Sequence, residues 1–482
     1  MEERAVAALS VFQSVRFHGL SGAKYLVAME QLEKSMAEFS AWVWGGKPEH
    51  FPWLIVLLIG THLFLTFRLG FIQRYIGRMI KLSVAKEKDS PGDVSQFGAL
   101  TTALAATIGT GNIYGVAGAV AVGGPGAVLW MWLTGVFGMA TKYSEALLAV
   151  KYRVTNPDGT MAGGPMYVLE RAMNMKWLGI IFAIFAALAA FGIGNMVQSN
   201  TLAGLVNEKF AVPTWVTGLV LTALTGAVIL GGVKRIASAC QVIVPFMAIV
   251  YILGCIIILV MRAPLIPQTI ATICEHAFTG TAAVGGFLGA TLRQVIQQGV
   301  ARGLFSNESG LGSAPIVAAA ARTQNAVRQA LVSASGTFWD TVVVCALTGL
   351  VVVSSGHWND PAVADKKQLA VASFADIPYV GTFVLTFGLL FFVFSTILGW
   401  SYYGEKAAEY LFGPRIRFGY RILWVVAVFI GATVTASVVW DFADALNGLM
   451  AVPNLIALLA LNGVIVAETR AHRHELTGRA AE

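Results

Sequence analysis

Charged residues are scarce in this chain. Asp, Glu, Lys and Arg make up 12% of its 482 residues, about half of the roughly 25% found in soluble globular proteins. The chain is 56% hydrophobic and has a mean hydropathy of +0.70. This composition excludes a soluble multidomain enzyme and a disordered protein, and it predicts a polytopic membrane protein. The net charge of +7 does not indicate nucleic-acid binding, because the basic residues lie in loops rather than on one continuous face.

Cysteine and histidine are also sparse and scattered. The 4 cysteines are far apart, and three of them lie in or beside apolar runs, which is typical of small hydrophobic residues in helices rather than of disulfides or zinc ligands. None of the 7 histidines is paired with an acidic residue inside an apolar segment. The sequence therefore lacks the clustered groups of a membrane-embedded enzyme, and we expect no organic cofactor.

Eleven segments are long and apolar enough to cross a bilayer, which requires about 20 residues each. They are residues 53–69, 94–123, 126–150, 177–205, 213–232, 239–261, 284–320, 331–353, 378–412, 420–440 and 442–467. The second, seventh and ninth are too long for one straight span. Glycines midway along the second and seventh predict interrupted helices.

The distribution of basic residues predicts the orientation. Most of the 33 Lys and Arg residues lie in cytoplasmic loops if the N-terminus is placed outside the cell membrane and the C-terminus inside. The first residues are acidic where a signal peptide needs a basic region, so we expect a retained extracytoplasmic tail over residues 1–52. A first helix and a cytoplasmic loop then cover 53–93, and residues 468–482 form a cytoplasmic tail.

Two matching motifs lie in the interrupted segments. Residues 111–119 align without gaps with residues 306–314, with identities at Asn112/Asn307, Gly115/Gly310 and Ala119/Ala314. The motifs are five spans apart, and an odd shift reverses the direction of crossing. We therefore predict an inverted repeat of five plus five helices, over residues 94–263 and 264–467.

Two interrupted helices that meet at mid-membrane create a binding site from backbone groups. Free amides at one half-helix end attract a carboxylate, and free carbonyls at the other coordinate a cation or an ammonium group. The alternative is that small residues spaced four apart only allow helices to pack closely. The placement of both motifs in equivalent spans favours a transport site.

Several longer motifs resemble one known family. They are LTTALAATIGTGNI (100–113), GGPGA (123–127), GMATKYSEA (138–146), GGPMY (163–167), GLFSNESGLGSAP (303–315) and FSTILGWSYYGE (394–405). Together, over about residues 42–468, the chain resembles the alanine or glycine:cation symporters. The resemblance implies an all-α, leucine-transporter-type fold of five plus five inverted spans preceded by one extra helix. It also implies uptake of alanine or glycine coupled to sodium, or sometimes to protons.

Six residues are expected to contact the substrate: Thr110, Gly111, Asn112, Tyr114, Gln198 and Trp400. Asn112 stands where the second half of the broken segment begins; it could bind substrate or sodium, cap the helix, or do both. Tyr114 and Gly118 depart from the small residue and the threonine usual in the family, which leaves substrate identity open. Gln198 lies on a polar stripe of the fourth segment. The alternative interpretation of this stripe is that its side chains only form hydrogen bonds between helices.

By resemblance, a sodium site lies between the second and ninth segments. Its ligands would be carbonyls near Ala105 and Ile108, the hydroxyls of Ser395 and Thr396, and the amide oxygen of Asn112. On residue chemistry alone, the two hydroxyls would instead bond back to the preceding turn of their own helix.

Charged residues near mid-membrane cost about 2.5–3.5 kcal/mol each to insert. Arg302 and Glu308 flank the second break, so they are expected to pair with each other, or Glu308 to pair elsewhere and link ion occupancy to closure. Asp340 is a third such charge. Glu145 with Lys142, spaced i, i+3, is interpreted as an interfacial ion pair.

The predicted function is secondary active import of a small neutral amino acid with sodium or protons. The expected partners are the amino acid and the lipid bilayer, with no nucleic acid and no obligate protein partner. A channel is the alternative from another class, but a channel does not need two matched broken helices around one site.

Overall fold

The computed structural model describes residues 22–45, 51–85, 87, 90–279, 291–360, 363, 366–434 and 437–478. Parts of the expected N-terminal tail (1–21 and 46–50), the start of the seventh segment (284–290) and the last residues of the C-terminal tail (479–482) lie outside the described residues.

Helices make up almost all of the described chain. The α-helices of the first half are α1 (Gly22–Trp44), α2 (Trp53–Arg68), α3 (Ile76–Ser83), α4 (Gln96–Thr107), α5 (Tyr114–Gly123), α6 (Ala127–Lys151), α7 (Pro165–Met173), α8 (Lys176–Ala189), α9 (Val197–Phe210), α10 (Thr214–Ile229) and α11 (Gly232–Met261). Those of the second half are α12 (Ile266–Thr279), α13 (Leu292–Asn307), α14 (Pro315–Ala318), α15 (Ala326–Thr337), α16 (Ala346–Ser354), α17 (Lys366–Ala375), α18 (Val380–Phe412), α19 (Ile416–Thr433), α20 (Ser437–Ala460), α21 (Asn462–Ala471) and α22 (Arg473–Thr477).

Several of these helices are long and apolar enough to cross a membrane. Within the described ranges there are 6 such helices, or 7 if α2 and the bent continuation Ile72–Ser83, at 66° to it, count as one span. Apolar side chains stay exposed on their outer faces, as on α11, where Val242, Ile249 and Val260 are each more than half exposed. A surface of this kind suits contact with lipid rather than water, so the expectation of a helical membrane protein is confirmed.

The two predicted interruptions are present. The second segment is divided into α4 and α5 by the 3-10 turn Thr110–Asn112, and the seventh into α13 and α14 by residues 308–314. Two further long helices stay continuous but widen into π-helical turns, Ala190–Met196 between α8 and α9 and Phe338–Cys345 between α15 and α16. Such turns re-aim the side chains that follow them.

Other expectations need correction. The ninth segment, judged too long for one straight span, is the single continuous 33-residue helix α18. The tenth segment ends earlier than expected, because α19 ends at Thr433 and α20 already begins at Ser437, and the final segment is divided into α20 and α21. Part of the expected tail forms α1, which packs against α20. Within this nearly all-helical fold, β1 (Val154–Thr155) and β2 (Met161–Ala162) form a short antiparallel pair.

Helix α18 lies at the centre of the molecule. It packs against α4, α8, α9, α11 and α19, and its side chains Trp400, Tyr402 and Tyr403 are buried. Glycine allows a close approach to the backbone of α4: a Cβ atom on Gly399 would lie 2.6 Å from the backbone nitrogen of Ala106. Close packing of α18 against the first break therefore depends on the absence of a side chain at position 399.

Gly399→Ala is expected to destabilise the protein, because the new methyl group overlaps backbone that cannot move aside. Overpacking of this kind costs about 1–3 kcal/mol, and the thermal unfolding of detergent-purified protein measures it. Gly419→Ala is the matched control, since no atom lies within 4 Å of the added Cβ. Equal melting temperatures for the two variants would show that α4 and α18 are not in close contact.

Candidate functional site

The backbone at the first break, between α4 and α5, is held by a hydrogen bond to one of the break's own side chains. Beyond α4 the backbone is extended at Ile108 and Gly109, and the Gly109 amide donates to Oδ1 of Asn112 at 2.8 Å. The second half-helix begins at Tyr114 and has no side-chain cap. The expected N-cap role of Asn112 is therefore wrong: its oxygen stabilises the chain that precedes the half-helix.

The second break is built from residues with left-handed backbone conformation. Glu308, Gly310 and Gly312 have φ values of 55°, 89° and 85°, and only glycine adopts such values without a steric penalty. Glu308 is the exception at the end of α13, where its amide still donates to the Leu304 carbonyl at 2.9 Å. Its carboxylate, buried within the protein, accepts a hydrogen bond from the Ser313 hydroxyl.

Asp340 connects the two breaks. It lies in the π-helical turn between α15 and α16, with no exposed surface. Its Oδ1 accepts from Nδ2 of Asn112 at 2.7 Å, and its Oδ2 accepts from the hydroxyls of Ser306 at 2.9 Å and Thr341 at 2.7 Å. Among the described residues, none of these hydrogen-bond partners carries a positive charge. A buried carboxylate without a cationic partner is costly unless a proton or a cation neutralises it.

A cavity of 180 Å³ lies beside the first break. Its walls come from the first break with α5, from the α8–α9 helix, from α13 and from the start of α20. The lining residues are Thr110, Gly111, Tyr114, Gly115, Gly118, Ile193, Val197, Thr201, Arg302, Phe305, Lys367, Trp440, Asp441 and Asp444. Both polar and apolar groups are present, as is typical of sites for small ligands.

The predicted substrate residues divide into two groups. Thr110, Gly111 and Tyr114 line the cavity. Asn112, Gln198 and Trp400 are buried and do not line it. The Gln198 side chain donates to the Ile193 carbonyl across the π-helical turn, and its Oε1 has no partner in the described part of the chain.

Trp400 packs in a neighbouring position. Its ring meets that of Tyr403 edge to face, and it lies against Gly194, where a Cβ atom would be 2.2 Å from that of Trp400. Trp400 therefore supports the helix wall of the cavity from behind and also interacts with the Glu308 side chain.

The predicted sodium ligands are partly brought together. The Thr396 hydroxyl lies 3.3 Å from the Ile108 carbonyl, so α18 does meet the break of α4. Both Ser395 and Thr396 also donate to the Phe392 carbonyl of the preceding turn, at 3.0 and 2.8 Å, as the alternative interpretation held. Ala105 is buried in the same interface, while the amide of Asn112 is directed to Gly109 and Asp340.

Two expected ion pairs are absent from the described residues. Arg302 lines the cavity, whereas Glu308 bonds to Ser313, because the left-handed turn after α13 sends the two side chains to different sides of the break. The interpretation of Glu145 and Lys142 as an interfacial pair was wrong. Both are buried, and Nζ of Lys142 has no hydrogen-bond partner.

A network of polar contacts closes the side of the protein at which α6 ends. The Arg153 guanidinium, just beyond α6, donates to four carbonyls, those of Pro91, Ala319, Ala321 and Thr323, at 2.8–3.1 Å. Asp93 accepts from the Met161 amide at 2.9 Å. Burial raises the pKa of the Asp93 carboxyl above its ordinary value, and this hydrogen bond opposes the rise. The network holds the segment after α14 against the loop before α4.

Sequence reasoning missed most of the cavity wall. Asp441 and Asp444 stand three apart at the junction of two apolar segments, and that isolation was a signal for a functional position. Thr201 lies on the same polar stripe as Gln198, but the π-helical turn brings Thr201 rather than Gln198 to the cavity. Nothing in the sequence pattern marks Ile193, which lines the same wall.

The fold and this site define a multi-pass membrane transporter, with a cavity at a helix break. The chain matches the sodium:alanine symporter family over residues 29–481 and belongs to it. Members are transporters rather than enzymes, and the family description implies coupling to sodium.

Two relatives resemble nearly the whole chain. The sodium/alanine symporter AgcS of Methanococcus maripaludis is 52% identical over 441 residues, 90% of this chain and 95% of the relative. An uncharacterized transporter of Haemophilus influenzae is 50% identical over 442 residues, 91% and 96% of the two chains.

A more distant likeness is found among solved structures. A mutant form of a manganese transporter from Eremococcus coleocola superimposes with a TM-score of 0.50 at 13% identity, over 79% of this chain and 82% of that chain. At this identity the likeness concerns the fold alone.

Proposed function

We propose that the protein imports a small neutral amino acid, alanine or glycine, together with sodium. The observation that carries this proposal is the position of Asp340, whose carboxylate bonds to Asn112 of one break and Ser306 beside the other. A relative with 52% identity is named a sodium/alanine symporter. A different small amino acid on the same fold is the second candidate, because Tyr114 lines the cavity at a position where the family usually has a small residue.

The substrate occupies the cavity beside the first break. Thr110 and Gly111 offer backbone groups outside regular helix, and these suit the carboxylate or the ammonium group of a zwitterion. Gln198 and Trp400 do not contact the substrate directly but support the α8–α9 wall of the cavity. Among the described residues the buried side-chain oxygen of Gln198 has no hydrogen-bond partner, and such an unsatisfied group often marks a functional position.

The coupling ion is sodium, with protons as the alternative. Its site lies between α4 and α18, where Ile108, Ser395 and Thr396 supply oxygens and Ala105 supplies a further carbonyl. Asp340 responds to ion occupancy through Asn112, because the Asn112 oxygen holds Gly109 and its nitrogen holds Asp340.

Transport proceeds by alternating access within an eleven-span, five-plus-five inverted arrangement in the cell membrane. The N-terminus lies outside and the C-terminus in the cytoplasm, α2 is the extra span, and the repeats cover residues 94–263 and 264–467. As a unit, helices α4–α6 and α13–α16 rotate relative to the other helices. In this topology the cavity lies on the outer side, because Asp441, which lines it, follows the outer end of the tenth segment. The contacts of Arg153 close the cytoplasmic side.

Tyr114→Ala is expected to change which amino acids compete for the site. Removing the ring enlarges the cavity, so bulkier neutral amino acids should inhibit alanine uptake about tenfold more strongly, while alanine itself loses apolar contact worth about 1 kcal/mol. Competition of unlabelled amino acids against labelled alanine measures this. A competition profile identical to that of the unchanged protein would show that substrate does not reach Tyr114.

Equilibrium binding tests the proposed function. Labelled L-alanine and glycine are titrated onto purified protein in sodium, potassium and choline chloride. Sodium alone should raise the affinity, because a symporter binds its ion and its substrate with positive coupling. Equal affinity in all three salts would contradict sodium coupling, and tight binding of a larger amino acid instead would favour the second candidate.

A further inference from the structure

The break between α13 and α14 spans residues 308–314, and the first five of its amides each have an acceptor. The Glu308, Ser309 and Leu311 amides bond within the segment, to the Leu304 carbonyl, the Asn307 side chain and the Glu308 carbonyl. Those of Gly310 and Gly312 have no acceptor there. Buried amides without partners are rare because each costs about 1–3 kcal/mol, so these two must be satisfied from another helix.

That acceptor is Glu145 of α6. Its Oε1 accepts from the Gly310 amide at 3.0 Å and from the Gly312 amide at 3.1 Å. The side chain is 2% exposed, so water does not compete for these bonds. One carboxylate oxygen thus takes the place of the helical carbonyls that the interruption removes.

Asn454 completes the arrangement from α20. Its Nδ2 donates to Oε1 of Glu145 at 2.6 Å and to the Gly310 carbonyl at 3.0 Å. The break is therefore held between α6 and α20. The fit is tight, because a Cβ on Gly312 would lie 2.7 Å from Pro165 and 3.0 Å from Asn454.

The cationic neighbour of Glu145 does not compete for it. Lys142 lies one turn earlier on α6, yet its Nζ makes no hydrogen bond to any described residue. The partners of Glu145 are all neutral donors from the break and from α20. Its interactions are therefore those of a residue that fixes backbone geometry, not those of a salt bridge.

We propose that Glu145, tied to α20 by Asn454, is a positioning residue that holds the second break in its binding geometry. Two residues lie just before the break. Ser306 donates a hydrogen bond to Asp340, and Phe305 lines the cavity. A shift of Gly310 and Gly312 therefore displaces both the ion-sensing carboxylate and the cavity wall. The consequence for transport rests on the proposed function, whereas the local geometry does not.

Amide hydrogen exchange tests the local claim in the full-length purified protein. Exchange in peptides covering residues 308–314 should be at least tenfold faster in Glu145→Met, which removes the acceptor. It should be several-fold faster in Glu145→Gln, whose neutral oxygen accepts more weakly, and in Asn454→Ala. Peptides covering the first break, residues 108–115, should exchange as before.

Tyr143→Phe is the matched control. It removes a buried hydrogen bond of the same helix, from Tyr143 to Thr469 at 2.9 Å, without touching the break. Unchanged exchange at 308–314 in folded Glu145→Gln would overturn the proposal. So would equal acceleration at both breaks, which indicates general destabilisation. If Glu145→Met does not fold, the exchange rates at 308–314 in Glu145→Gln and Asn454→Ala test the proposal.

Uptake kinetics test the positioning claim. Glu145→Gln should raise the KM for alanine at least fivefold and change the maximal rate less than twofold, since affinity rather than turnover depends on the geometry of the break. Faster exchange with an unchanged KM would overturn the positioning role. Absence of uptake in the unchanged protein would count against the proposed function alone, because the exchange result stands independently.

Discussion

Replacing Asp340 with asparagine is expected to remove the sodium dependence of alanine binding and to slow uptake at least tenfold. Asparagine keeps the shape of the side chain and can still accept from Asn112, but it carries no charge to balance a cation. Hydrogen bonds to charged groups are worth about 1.5–3 kcal/mol, and about 1.4 kcal/mol corresponds to a factor of ten. Sodium titrations of binding and initial uptake rates measure the two effects.

A control variant separates this effect from a loss of folding. Glu170→Gln removes an acidic charge from a surface ion pair with Lys176, 3.4 Å away, where exposed pairs contribute about 0–1 kcal/mol. It should leave uptake unchanged. Asp340→Asn protein that is monodisperse, binds alanine and still responds to sodium as before would show that Asp340 does not sense the ion.

Arg153→Met is expected to weaken the closure of the side at which α6 ends, which we propose is cytoplasmic, and to slow uptake about tenfold. The guanidinium donates to four carbonyls on both sides of a contact between the α14 end and the loop before α4. Methionine fills similar space but donates to none of them. A loss of about 1.4 kcal/mol from the closed state shifts the equilibrium tenfold towards opening.

A thiol reporter detects that opening directly. Ser333 lines a small cavity together with Lys142 and Asn307, and Ser333→Cys labelling should be faster with Arg153→Met, in a background in which the exposed Cys274 is replaced by serine. Arg171→Met, at an exposed position on α7, is the control and should not change labelling. Equal labelling rates in both variants would mean that Arg153 does not keep this side closed.

The sequence was most informative where a local pattern determines structure. The positions of both breaks follow from glycines around Asn112 and Asn307, because glycine accepts backbone conformations that end a helix. Length marked the ninth segment as unusual in the same way, yet it has no such cluster of glycines midway and forms α18, which stays continuous over 33 residues. Segment length alone does not separate a broken helix from a long one that extends beyond the bilayer.

The site itself depends on contacts that no local pattern reports. Glu145 and Gly310 are 165 residues apart, and Glu145 and Asn454 are 309 apart; the i, i+3 spacing of Glu145 with Lys142 indicated an ion pair instead. Asp340 meets both breaks from a π-helical turn, whose extra residue shifts the face that each side chain occupies. In the same way, the π-helical turn Ala190–Met196 changes the face that follows it, so that Thr201 lines the cavity and Gln198 does not.

Uptake into proteoliposomes tests the central claim most directly. Labelled L-alanine and glycine are supplied outside the vesicles under an inward sodium gradient, with choline in place of sodium as the control. The account predicts accumulation of at least one of them above the external concentration with sodium and only equilibration without it. Uptake that is indifferent to imposed sodium and proton gradients, in protein shown to be folded, would contradict ion-coupled symport.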